Sequence, residues 1–116
     1  MNKHLRPYGE GTCVLDALKV ALGKEAGELE KELKAYGPII ENEAVWGRYL
    51  LDRGFHRVDL PPIPNKPRMT VGELASSAEG RILICRGAAH IVAIKDGFSH
   101  DSSDSSDMCV FWYYTK

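Results

Sequence analysis

A cysteine stands where a helix should begin. Cys13 follows Gly9, Gly11 and Thr12, and Val14, Leu15, Leu18, Ala21 and Leu22 come after it at intervals of three and four. That spacing predicts a one-sided helix starting near Thr12, with Gly23 as its stop. Backbone N–H groups in a first helical turn lack intrahelical partners, and the helix dipole adds about +0.5 charge there, so a thiol at this point is favoured as thiolate. The glycines before it would let a substrate backbone come close. A free cysteine also serves as a small buried hydrophobe, and position alone does not separate the two roles.

A nucleophilic thiol needs a base. His90 opens the apolar run Ile91-Val92-Ala93-Ile94 directly after Gly87-Ala88-Ala89, which would leave its ring uncrowded on one side. It is suited to act as general base and imidazolium partner of Cys13, although a histidine at a strand start is often no more than a polar residue at a sheet rim. Asp96-Gly97 is a two-residue hairpin signal. It pairs Lys95 with Phe98, Val92 with Asp101 and His90 with Ser103. Asp101 then shares a face with His90, one diagonal step away, and can hold the imidazole tautomer as the third member of a triad does. A register slip of one residue would turn Asp101 to the other face, which leaves Asp104 as the reserve acid.

The elements that must position these groups change character halfway along the chain. After the Cys13 helix, the stretch 25–36 carries Leu29, Leu33 and Tyr36 among Glu and Lys and reads as a surface helix ending at Gly37-Pro38. Asn42 is a helix cap, with Val45, Trp46, Tyr49 and Leu50 following as far as Arg53 and Gly54. Residues 60–68, LPPIPNKPR, hold four of the six prolines and make an extended connector. Thr70 and Glu73 match a capping box for a short helix to about Ser77. The remainder reads as strands over 81–86, 90–95, 98–101 and 108–114, with DSSDSSD at 101–107 between the last two. Helices followed by an antiparallel meander imply an α+β fold, the sheet packing one face on the helices.

Cys13 on a helix, His90 on a later strand and an aspartate on the next one reproduce the chain order of papain-like cysteine peptidases. GTCVLDALKVALG together with HIVAIKDGFSHDSSDSSDMCVFWYY resembles, more narrowly, a group of short phage-encoded papain-like proteins. The resemblance implies a minimal papain-like fold and amide hydrolysis through a thioester, with Cys13 as nucleophile, His90 as base and Asp101 as orienting acid. The papain-type glutamine ahead of the cysteine is missing from residues 1–12. The oxyanion would instead be met by the Cys13 N–H with Asn2, His4 or Thr12, and loss of one good donor costs ~10²-fold or more in rate. The implied partner is a protein or peptide substrate, with host proteins among the candidates. Two further readings stay open: a catalytically idle papain-like scaffold that binds and inhibits a host protein, and an acyl transferase or transglutaminase-like enzyme on the same residues.

Bulk composition narrows the field. The chain of 116 residues, 44% hydrophobic and 27% charged, fits one domain over 1–116. A net charge of -1 with scattered Lys and Arg carries no footprint for nucleic acid or an anionic membrane. The N-terminal segment has no signal-peptide core, and no run reaches the roughly 18 apolar residues of a membrane span, so a cytoplasmic protein is expected. Three widely spaced cysteines fit neither a disulfide framework nor a zinc site, and no cofactor or metal is expected. Cys85 and Cys109 fall inside the expected strands and read as packing residues. Trp46, Tyr49, Trp112 and Tyr114 read as core and rim aromatics.

Overall fold

The computed structural model describes residues 13–88, 90–100 and 106–116. Helices α1 (Cys13–Leu22), α2 (Ala26–Lys34) and α3 (Glu43–Asp52) come first, then β1 (His56–Asp59), α4 (Val71–Ser77), β2 (Leu83–Arg86), β3 (Ile91–Lys95), β4 (Phe98–His100) and β5 (Trp112–Thr115). The punctuation lies where local chemistry demands it. Gly23, at φ 65°, closes α1, its N–H bonding the Lys19 carbonyl at 2.8 Å. The Asn42 side chain accepts from the Ala44 N–H at 2.9 Å and caps α3. Thr70 and Glu73 form both halves of a capping box on α4.

The result is an α+β fold around a five-stranded antiparallel sheet of order β1-β5-β2-β3-β4. Asp96 and Gly97 both take positive φ, 57° and 81°, as a type I′ turn requires, and Lys95 pairs with Phe98 as expected. Only β2, β3 and β4 run as a meander. The last strand turns back to lie between β1 and β2, so the expected simple meander is corrected.

A second correction concerns the faces. Both are covered, not one. On one side Ile84, Ile91, Ala93 and Tyr114 join Val14, Leu18, Leu29, Trp46 and Tyr49 of α1, α2 and α3 in a buried cluster. On the other, Leu83, Cys85, Val92 and Ile94 join Val71 and Leu74 of α4 and Val110. The unbroken apolar run of β3 is the sequence mark of a strand buried on both sides. The expected strand over 108–114 is shorter, because Val71 N–H bonds the Met108 carbonyl and Val110 N–H bonds the Met69 carbonyl, drawing this segment toward the entry of α4. Cys109 is consequently exposed, joined to Thr70 by an isolated bridge, and is not the packing residue expected. No helix among the described residues is long and apolar enough to cross a membrane.

Candidate functional site

Cys13 is the first residue of α1, and α1 lies directly across β3. Val14 and Leu15, the next two residues of the helix, and Ile91, the residue after His90, share one buried cluster. The helix start and the strand start are therefore anchored in the same patch of core. His90 is 7% exposed and its Nδ1 is shielded from solvent. The Gly87 N–H donates to the His90 carbonyl at 2.9 Å, which extends the β2–β3 register one pair beyond Arg86 and Ile91. Strand alternation then assigns the His90 side chain the parity of Val92 and Ile94, the side covered by α4, whereas α1 covers the side of Ile91 and Ala93. Asn2, His4, Thr12, Asp101 and Asp104 lie outside the described residues.

The other thiols differ from one another. Cys85 sits fully buried within β2, and burial pushes its thiol up to about 12, far from a reactive thiolate. Cys109 is exposed. Among the described residues, no group of three or more His, Cys, Asp and Glu side chains is placed to hold a metal ion.

A second polar centre, which sequence reasoning missed, is built on Glu43 at the start of α3. Its Oε2 accepts from Trp112 Nε1 and from the Tyr114 hydroxyl, each at 2.7 Å. Arg57 and Arg86 each approach the same carboxylate to 3.7 Å. Arg57 also stacks on Trp112, 4.1 Å from the ring centroid, and its Nε donates to Asp59 at 2.8 Å. Burial and the bond to Glu43 push the Tyr114 phenol up to about 12. The one hint in the sequence is Gly47 inside a helix, since an interior glycine is unfavourable unless another group must come close. A Cβ on Gly47 would lie 2.8 Å from the Tyr114 hydroxyl.

A similar arrangement ties α2 to α3. The Tyr49 hydroxyl donates to Glu32 at 2.5 Å, and Arg53 stacks on the Tyr49 ring at 3.6 Å. The bond from Tyr49 holds the Glu32 carboxyl below its ordinary range, while burial, then the partner carboxylate, pushes the Tyr49 phenol up. Trp46, Tyr49 and Tyr114 are core aromatics, with Trp112 packed at the rim. Comparison of the chain with family models, with curated proteins and with solved structures returns no match.

Proposed function

We propose that the protein is a papain-like thiol hydrolase acting on amide bonds of protein or peptide substrates. The observation that carries the reading is the packing of α1, which Cys13 opens, on β3, which a buried His90 precedes. In the reaction the Cys13 thiol passes its proton to His90 and the sulfur adds to the amide carbon. The oxyanion is held by N–H donors at the helix start, and the imidazolium returns the proton to the departing amine. A thioester remains. Water, deprotonated by His90, then releases the carboxylic acid and the free thiol. Asp101, with Asp104 in reserve, orients the imidazole in this scheme.

A second reading is the idle scaffold that binds and inhibits a host protein, favoured by the lack of a papain-type glutamine in residues 1–12 to donate to the oxyanion. A peptide vinyl sulfone separates the two. The hydrolase should gain one adduct at Cys13, read by mass spectrometry, and lose it in both Cys13→Ser and His90→Ala. Labelling that ignores His90→Ala would defeat the hydrolase reading. Incorporation of a primary amine into a glutamine-containing peptide would point instead to the transferase.

A further inference from the structure

The opposite edge of the sheet carries a concavity independent of the thiol site. Between α3 and β1 lies an open depression of about 400 Å³, lined by Glu43, Ala44, Gly47, Arg48, Leu51, Arg57 and Tyr114. In the strand order it stands three strands from β3, roughly 14 Å at ~4.8 Å per strand. Its size falls within the ~300–1,000 Å³ of small-ligand sites.

The lining combines two chemistries. Leu51, 52% exposed, and Ala44, about two turns away on the same side of α3, offer apolar surface. Arg57 offers a guanidinium already fixed in place, its plane resting on Trp112 and its Nε held by Asp59, with 42% of its side chain still open. A fixed fork of N–H donors loses little freedom on meeting a carboxylate, which it can grip with two parallel bonds. Glu43 lies in the same wall, where its Oε2 accepts from Trp112 and Tyr114 and stands 3.7 Å from Nη1 of Arg57. Arg48, exposed on the lip of the depression, makes none of the ion pairs among the described residues. Among the lining residues Arg48 and Arg57 against Glu43 leave one positive charge in excess, with Asp59 paired to Arg57 from outside the lining.

We infer that this depression binds a carboxylate-bearing ligand with a short apolar side chain, the carboxylate on Arg57 and Arg48 and the apolar group on Leu51 and Ala44. The binding is independent of the hydrolase reading and survives its failure. The test is a ¹⁵N NMR titration of the full chain with N-acetyl-leucine, its amide N-acetyl-leucinamide, and inorganic phosphate, each to about 50 mM, since a fragment of this size binds in the millimolar range. The acid should shift the Gly47, Arg48 and Leu51 amides saturably. The amide should bind about tenfold more weakly. Arg48→Ala should weaken the acid several-fold with the rest of the spectrum unchanged, and Arg57→Lys should weaken it while leaving the fold intact. Equal binding of acid and amide, shifts indifferent to both substitutions, or no saturable shift would overturn the inference. Competition by phosphate at equal concentration would overturn the carboxylate assignment and leave a general anion site in its place.

Discussion

Single residues set the tightest constraints here, and Gly47 is the clearest case. An interior helical glycine gives up roughly 1 kcal/mol against alanine, and α3 accepts that loss so that the Tyr114 hydroxyl can pass over its backbone to Glu43. Gly47→Ala should therefore destabilise the protein, by about 1–3 kcal/mol in chemical denaturation, because the added methyl meets the hydroxyl at 2.8 Å. In a Tyr114→Phe background the same substitution should turn neutral or stabilising, since the group it strikes is gone. An additive cycle would refute the close-approach explanation. The Glu43 centre was hidden from the sequence because its members come from α3, β1, β2 and β5, and no spacing announces a contact between Glu43 and Trp112. The helix that Cys13 opens and the strand that His90 precedes were legible because each start carries a local signal, whereas Asp101, read from the hairpin register, lies outside the described residues.

Elements with strong local chemistry were readable, and those defined by distant pairing were not. The caps at Asn42 and Thr70 and the Asp96-Gly97 turn each satisfy backbone groups within a few residues, so their chemistry is written next to them. Thr70→Ala removes the side-chain half of the α4 capping box and should cost about 1 kcal/mol in denaturant melts, with Thr70→Ser nearly silent. Equal losses from both would show that the hydroxyl bond is irrelevant. By contrast β1, HRVD, has three of its four residues exposed and no alternation, because it is an edge strand that exists through pairing with β5. The return of β5 between β1 and β2 is a long-range choice of the same kind, as is the drawing of 108–110 toward Met69 and Val71.

At the scale of the whole molecule, two cores on opposite faces of the sheet share β2 and β3, and tyrosine–carboxylate bonds tie the helices and sheet together around one of them. These bonds give stability a direction in pH. Tyr49 and Tyr114 are held above their ordinary 10.0 in the folded protein, Tyr114 at about 12. Their contribution is complete below pH 10 and is lost as pH rises from 10 towards and through the folded values, because the unfolded phenols ionise first. Denaturant midpoints should accordingly hold from pH 8 to about 9.5 and fall steadily above 10, more shallowly in the Tyr114→Phe variant. A midpoint flat to pH 11.5 would contradict the assignment. The central claim also belongs to this scale, because it joins the first helix to the third strand across the fold. Its most direct measurement is the rate of iodoacetamide alkylation at Cys13 as a function of pH, followed site by site by mass spectrometry in the native protein and in His90→Ala, with buried Cys85 as the unreactive internal control. An inflection well below the ~8.5 of an ordinary thiol, moved back up by His90→Ala, is the result expected of an ion-paired nucleophile; the same inflection in both proteins would contradict it.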